Sequence, residues 1–193
     1  MKTEVTKQLL ADAVKKLMET EPLDKVTIQD IADACRLNRK TFYNHFIDKQ
    51  DLVCWVFKTE IMDVVREQAG LGLPGISRFI LNALREDQAF YVNAFSAQCQ
   101  NSLSGFFFNE NYKIVLRIID HYCGGRMIAA KDRAFIAWFY TYGYTYTIIG
   151  WILEGMKESP DAVERLMYYI TQRGIYNMVE QCLAKADIGE DAP

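Results

Sequence analysis

The side chains best suited to chemistry in this chain of 193 residues lie together between positions 36 and 46. This stretch holds two arginines, one lysine and one histidine, and it contains no acidic residue. In contacts with double-stranded DNA, arginine prefers a guanine edge and asparagine an adenine edge, whereas threonine, tyrosine and lysine more often hold phosphates. We therefore predict DNA binding by Arg39, Lys40, Thr41, Tyr43, Asn44 and His45.

The charge of the chain favours a local rather than a general affinity for nucleic acid. The net charge is −3, and residues 1–60 carry ten basic and ten acidic residues. A basic face on a neutral module lets a protein find DNA without binding to every polyanion. The competing interpretation is a solvated face of a small helical bundle, because polar helix faces are common.

Two short helices are expected to position these side chains. Apolar residues recur at steps of three and four in residues 28–35, and Thr27 with Asp30 forms an approximate capping box before them. Asn38 is a good N-cap for a third helix, Arg39–Phe46, whose two phenylalanines face inward. The pair has the dimensions of a helix-turn-helix, whose second helix enters the major groove. Thr27 would then aim its hydroxyl at a phosphate.

Further helices flank this pair. An amphipathic pattern predicts a first helix over Thr3–Thr20, and Asp48 is placed to cap a fourth helix, about 49–67. The glycine-rich sequence Gly70–Gly75 ends that helix. Later helical patterns cover Ile76–Arg85, Gln88–Gln100, Tyr112–Tyr122, Lys131–Gly155 and Pro160–Lys185.

The predicted fold is all-α, because no segment alternates with a period of two. We expect an N-terminal three-helix helix-turn-helix DNA-binding domain and a C-terminal helical bundle for ligand binding and dimerisation. The first would occupy residues 1–48 and the second residues 49–187, with the fourth helix connecting them. Residues 188–193 are expected to form a frayed tail.

Other function classes lack their characteristic residues. The five cysteines are scattered without a CxxC pair and the two histidines are far apart, so neither a metal site nor a cofactor is expected. The sequence has no GxSxG or HExxH motif, and we do not expect an enzyme. Tyrosines, threonines and glycines interrupt the apolar stretch Ala134–Leu153, which favours a buried helix over a membrane span. No apolar signal segment is evident, and a cytoplasmic protein is expected.

The sequence around the predicted helix-turn-helix resembles the TetR/AcrR family of transcription regulators. The family pattern is a threonine, three residues and Ile-Ala, which corresponds to Thr27–Ala32. A capping Ser or Asn follows, here Asn38, and then Thr-aromatic-Tyr-x-His-Phe, here Thr41–Phe46. The pattern closes on Lys-x-x-Leu, here Lys49–Leu52. With the first helix, the resemblance covers about a third of the chain.

The resemblance implies a role for each polar residue by its position. Backbone and phosphate contacts fall to Thr27, Tyr43, His45 and Lys49, and base-facing or groove-facing contacts fall to Arg39, Lys40, Thr41 and Asn44. Arg36 occupies the turn position that is usually glycine. A positive φ at this residue would cost roughly 1 kcal/mol.

The resemblance also implies a homodimer through the last two long helices, Asp132–Gly155 and Asp161–Leu183. Two recognition helices about 34–36 Å apart predict an operator that is an inverted repeat. The expected function is repression that a small-molecule effector releases. The alternative is a DNA-bound co-activator or scaffold that acts through a protein partner. The sequence Trp55-Val56-Phe57 and the later stretch Trp151–Pro160, together with the helix-turn-helix residues, are similar to the branch of dihydroxyacetone-kinase operon regulators within the family.

An effector pocket would lie among the aromatic residues that are dense between Phe79 and Trp151. Such a pocket has apolar walls and a few polar groups. The candidate lining residues are Phe90, Phe95, Cys99, Trp138, Tyr142 and Tyr146. The alternative is plain core packing, in which aromatic residues at helical spacing are common.

Overall fold

The computed structural model of the chain describes residues 2–67, 73–97 and 102–187. The regular structure in these ranges is helical throughout, which confirms the predicted all-α fold. The helices are α1 (Lys2–Met18), α2 (Ile28–Ala34), α3 (Arg39–Tyr43), α4 (Lys49–Phe57), a π-helical segment (Lys58–Met62), α5 (Asp63–Glu67), α6 (Leu73–Glu86), α7 (Gln88–Ser96), α8 (Leu103–Cys123), α9 (Ala130–Leu153) and α10 (Pro160–Asp187).

Side-chain caps begin the short helices of the N-terminal module. The Thr27 hydroxyl accepts the Asp30 N–H at 3.1 Å, and the Asp30 carboxylate accepts the Thr27 N–H at 2.9 Å, which completes a capping box. Asn38 and Asp48 each accept the N–H of the residue three positions further on, at 2.8 Å in both cases. These bonds satisfy main-chain donors that lack a partner in the first helical turn. The three predicted caps are confirmed.

The turn between α2 and α3 is a Schellman motif with Arg36 at its left-handed position. The Leu37 N–H donates to the Ala32 carbonyl at 2.8 Å, and the Arg36 N–H donates to the Asp33 carbonyl at 3.0 Å. Arg36 has a φ of 55°, which glycine adopts more readily than any residue with a Cβ. The positive φ expected at this residue is confirmed.

The described residues divide into two compact units, the first of which contains Met1–Phe106 and Ile152–Met156. Within this unit α1 packs against α2, α4 and α7. Phe42, Leu52 and Phe57 are fully buried in its core. Because α7 packs on α1, this unit extends well beyond residue 48, and the predicted domain boundary at that residue stays a prediction.

The helix that begins with α4 contains one π-helical turn, Lys58–Met62. The Thr59 hydroxyl donates to the carbonyls of Trp55 and Val56, at 2.9 and 3.2 Å. A π turn is wider than an α turn and takes in one additional residue. Ile61 and Met62 are both buried within this turn.

The second unit contains Phe107–Trp151 and Lys157–Pro193. Its core lies among α8, α9 and α10, and is formed by Val115, Ile119, Cys123, Ile136, Ala137, Ile175, Val179 and Leu183. A Cβ at Gly174 would collide with the Tyr140 hydroxyl, so a larger residue here would require the Tyr140 side chain to move. Inside the unit the Asn111 side-chain amide donates to the Thr145 hydroxyl at 3.0 Å, which pairs two buried polar groups.

Several helix bounds differ from those predicted. α3 ends at Tyr43 rather than Phe46, and α8 begins at Leu103, well before Tyr112. α6 begins at Leu73, so Pro74 lies in the first turn, where its missing N–H is tolerated. The preceding part of the glycine-rich sequence and the tail 188–193 lie outside the described residues. Within the described ranges, every helix falls short of the combined length and apolar character that crossing a membrane requires.

Replacing Arg36 with glycine tests the cost of the turn. Arg36→Gly should raise the free energy of unfolding by about 0.5–1 kcal/mol, because glycine adopts a φ of 55° without a clash at Cβ. Denaturant titration measures the change. Arg36→Ala is the matched control, since it removes the same side chain but keeps the Cβ. Equal stability of the glycine and alanine variants would contradict the conclusion that a residue with a Cβ is strained at position 36.

Candidate nucleic-acid interface

α3 presents a polar face to solvent because its aromatic residues on the other side are drawn into the core. Phe42 is 0% and Phe46 is 4% exposed, and their ring centroids lie 5.8 Å apart. The exposed residues on and directly after α3 are Arg39, Lys40, Tyr43 and Asn44, and the half-buried ones are Thr41 and His45. The predicted face is therefore brought together on one short helix and its C-terminal turn.

Arg39 is held against Tyr43, one helical turn further on. Its guanidinium donates to the Tyr43 hydroxyl at 3.1 Å and lies 5.6 Å from the ring centroid, in cation–π range. The hydroxyl uses a lone pair here, so its own hydrogen stays available for a phosphate oxygen. The bond thus restricts Arg39 to few conformations and lowers the entropy lost when its planar donor group meets a base edge.

Two threonines of the predicted set already use their hydroxyl hydrogens within the protein. The Thr41 hydroxyl donates to the Asn38 side-chain oxygen at 3.0 Å. The Thr27 hydroxyl donates to the Asp30 carboxylate at 2.6 Å. Either threonine would have to leave its partner before it could donate to a phosphate. The Thr27 hydroxyl oxygen caps α2, and the Thr41 hydroxyl supports Asn38, which caps α3.

Asp30 brings a negative charge to the start of α2. Hydrogen bonds from the Thr27 hydroxyl and from the Thr27 main-chain N–H lower the pKa of the Asp30 carboxyl from its ordinary value. Near neutral pH this carboxylate is charged and exposed. A phosphate that approaches Thr27 therefore meets a like charge beside it.

Lys49 takes a position that sequence reasoning did not anticipate. Its ammonium donates to the main-chain carbonyls of Leu23, Asp24 and Val26, at 2.7, 3.1 and 2.8 Å. An ammonium has three hydrogens, and all three are accepted here. The expected phosphate contact would require breaking these bonds, so the structure supports a positioning role for Lys49 at the connector between α1 and α2.

The residues expected to line an effector pocket separate into two groups. Phe90 and Phe95 are buried in the first compact unit, at 2% and 5% exposure. Trp138, Tyr142 and Tyr146 belong to the second unit and are each about half exposed. Cys99 lies outside the described residues. The expectation that these residues line an effector pocket stays a prediction. Within the second unit, the three α9 rings lie four positions apart and share one face of that helix.

The three α9 rings form a stacked ladder. Trp138 and Tyr142 lie 5.2 Å apart at 26°, and Tyr142 and Tyr146 lie 5.6 Å apart at 11°. Phe108 of α8 packs at 4.8 Å against Tyr142 and at 5.5 Å against Trp138. The three rings therefore form one continuous, partly exposed aromatic surface on α9.

Sequence reasoning missed two residues near the candidate interface. Ile47 follows α3 directly and is 80% exposed, which is unusual for so large an apolar side chain. The sequence signal that could have identified Ile47 is its position between Phe46 and Lys49 of the family pattern. Asn93 contacts the connector between α1 and α2 from a distant point of the chain. No local pattern marks such a residue.

Comparisons with known families agree with this geometry. A family model described as bacterial regulatory proteins, tetR family, matches residues 10–54. A second, described as transcriptional regulator C-terminal region and named for the same family, matches residues 74–173. The second match covers more than half of the chain, so the evidence for the family does not depend on the helix-turn-helix alone.

Individual relatives share parts of this sequence and its fold. The chain is 27% identical over 95 residues to the HTH-type dhaKLM operon transcriptional activator DhaS of Lactococcus lactis, a match covering 49% of this chain and 51% of that protein. The chain thus spans about half the length of this curated relative. A solved structure of dihydroxyacetone kinase operon activator DhaS aligns with a TM-score of 0.68 at 20% identity, covering 89% of this chain and 96% of that one. The fatty acid degradation regulator FadR from Bacillus halodurans aligns with a TM-score of 0.59 at 15% identity, covering 86% and 98%.

The role of Lys49 can be tested by its effect on folding. Lys49→Met should lower the free energy of unfolding by about 2 kcal/mol, because three carbonyls lose a charged donor. Denaturant titration measures the loss. Lys25→Met is the control, since Lys25 is an exposed lysine of the same connector. A Lys49→Met variant as stable as the control would show that the three bonds contribute nothing.

Proposed function

The chain belongs to the TetR family of transcriptional regulators, and we propose that it binds an inverted-repeat operator as a homodimer and represses transcription until a small-molecule effector releases it. The observation that carries DNA binding is the Arg39–Tyr43 pair on the exposed face of a capped helix. This helix follows a Schellman turn, so its N-terminal residues are free of the core and can enter the major groove.

The residues of α3 have different proposed roles on DNA. Arg39 and Asn44 read base edges, for which arginine and asparagine have matching pairs of hydrogen-bonding groups. Tyr43 and His45 contact the sugar-phosphate backbone, and Lys40 adds a mobile positive charge. Thr27 stays a candidate phosphate contact through its lone pairs and neighbouring main chain. Lys49 acts indirectly, by holding the connector that precedes α2.

Homodimerisation through α9 and α10 is supported by apolar surface in the second unit. The exposed large apolar residues include Phe135, Trp138, Phe139, Tyr142 and Tyr146 on α9, and Leu166, Tyr169 and Ile170 on α10. Phe135 and Phe139 border a pocket of about 160 Å³ with Met178 of α10, so apolar side chains of the two helices meet at this point. Contiguous apolar surface of this kind marks an interaction site. A two-fold pairing buries the same face of each subunit.

A second candidate function is activation through a protein partner. The curated relative that matches about half of this chain is named a transcriptional activator of the dhaKLM operon. Thermal-shift measurements with metabolites separate the two functions, because a specific effector stabilises the folded protein in proportion to its concentration. In either case we propose that the protein works in the cytoplasm, where its DNA is.

Base readout by α3 is tested on the operator itself, selected from genomic fragments with purified protein. Arg39→Ala and Asn44→Ala should each lose about 1–3 kcal/mol of discrimination at one base pair per half-site. Binding titrations on single-base operator variants measure this loss. Lys157→Ala is the control, since it removes one exposed positive charge far along the chain from α3. Unchanged base preference in both α3 variants would exclude the proposed docking.

The dimer face is tested by placing a charge on it. Phe139→Glu should weaken the dimer at least about a hundredfold, because pairing would bury a carboxylate without a partner. Sedimentation velocity over a range of concentrations measures the association. Met127→Glu is the control, because Met127 is equally apolar and 77% exposed but precedes α9. A Phe139→Glu variant that stays dimeric would place the interface elsewhere.

A further inference from the structure

We infer that Asn93 of α7 is a positioning residue for operator binding, because its side chain fixes the connector from which the helix-turn-helix starts. The inference rests on the proposed DNA binding and assigns part of it to a residue far outside the helix-turn-helix. The connector is the segment between α1 and α2, residues 19–27.

Asn93 uses both ends of its side-chain amide on main-chain groups. Its oxygen accepts the Leu23 N–H at 2.8 Å. Its nitrogen donates to the carbonyls of Met18 and Glu21, at 2.9 and 2.6 Å. One side chain thereby forms hydrogen bonds with main-chain groups of the last residue of α1 and of two connector residues. An asparagine amide offers one acceptor and two donor hydrogens, and all three are engaged.

Leu23 is the residue at which two such contacts meet. Its N–H is held by Asn93 of α7, and its carbonyl is held by Lys49 of α4, at 2.7 Å. Its side chain is fully buried. Leu23 is therefore fixed by hydrogen bonds on both sides of its Cα and by packing.

The position of Leu23 determines where α2 begins. Lys49 also holds the carbonyl of Val26, and Val26 directly precedes Thr27, the N-cap of α2. The Schellman turn then links α2 to α3. Since each link is a short segment with its main-chain groups bonded, a displacement of the connector moves α3 with it.

The N-terminal end of α7 is also tied to α1. Asp87, which precedes α7, lies 2.6 Å from the Lys15 ammonium, and Glu60 of the π-helical segment lies 3.0 Å from it. Burial lowers the pKa of Lys15, but the hydrogen bonds and charges of Asp87 and Glu60 outweigh it, so the pKa is raised overall. α7 is thus bonded to α1 or to its continuation just before its first residue and again at Asn93, and it holds Asn93 in register with the connector.

The surroundings of Asn93 make a clean substitution possible. Asn93 borders an open groove of about 710 Å³, which also adjoins Pro22, Val92 and Ser96. A smaller side chain at this position leaves solvent in the groove rather than a sealed cavity. Asn93→Ala should therefore remove the three hydrogen bonds without disturbing the core.

The test compares Asn93→Ala with Ser96→Ala. Ser96 lies on the same helix and borders the same groove, but its hydroxyl donates only to Val92 within α7. Operator affinity is measured by fluorescence anisotropy well below the melting temperature. We expect Asn93→Ala to bind about tenfold more weakly than wild type, with an unchanged salt dependence since no phosphate contact is lost. Ser96→Ala should bind like wild type.

Two further measurements separate positioning from a loss of general stability. Hydrogen exchange should show faster exchange of the Leu23 amide and of the α2 and α3 amides in Asn93→Ala, with α6 unchanged. Asn93→Asp should bind at least as weakly as Asn93→Ala, because a carboxylate keeps the acceptor for Leu23 but repels the carbonyls of Met18 and Glu21.

Each outcome of these experiments decides a different claim. If Asn93→Ala binds the operator as tightly as the wild-type protein does, the positioning role is overturned and the proposed function stays intact. If the wild-type protein selects no DNA, the proposed function fails. If the α2 and α3 amides of Asn93→Ala exchange as they do in wild type, the structural link between Asn93 and these helices is overturned independently. A drop in melting temperature with unchanged operator affinity would reduce Asn93 to a stabilising residue.

Discussion

Helices of about five to seven residues do not persist alone in water, and this constraint governs the DNA-binding module, whose α2 and α3 have seven and five residues. Their order must come from groups outside them. Phe42 supplies buried apolar surface, Asn38 supplies a cap, and Arg36 supplies the left-handed turn. The polar face of α3 is presented in one geometry only because these groups act together.

The same constraint explains why polar residues beside the interface serve the fold first. Thr27 and Thr41 donate their hydroxyl hydrogens to Asp30 and Asn38. The Lys49 ammonium donates to three main-chain carbonyls. Arg39 differs, because its partner Tyr43 caps none of the described helices and lies on the same exposed face of α3. The side chains that we propose to contact DNA are thus distinguished from those that hold the helices by what their partners do.

The sequence was sufficient where the interaction is local. A cap joins residues three positions apart, and the Arg36 turn spans six residues, so composition and spacing predict both. Contacts across 26 or 70 positions, such as those of Lys49 and Asn93 with Leu23, leave no periodic trace and were not foreseen. The aromatic residues show the same limit of local patterns. Periodicity shows that rings share a helix face but does not show whether another element covers it.

The π-helical turn at Lys58–Met62 also sets the angle about the helix axis at which the later side chains project. An α-helix advances about 100° per residue, so the additional residue in this turn offsets every later side chain from where a continuous α-helix would aim it. Shortening the segment by one residue would turn Asp63 and the rest of α5 by roughly that angle relative to α4. Insertions and deletions are therefore far less tolerable here than point substitutions, and the length of this stretch is as much a part of the design as its residues.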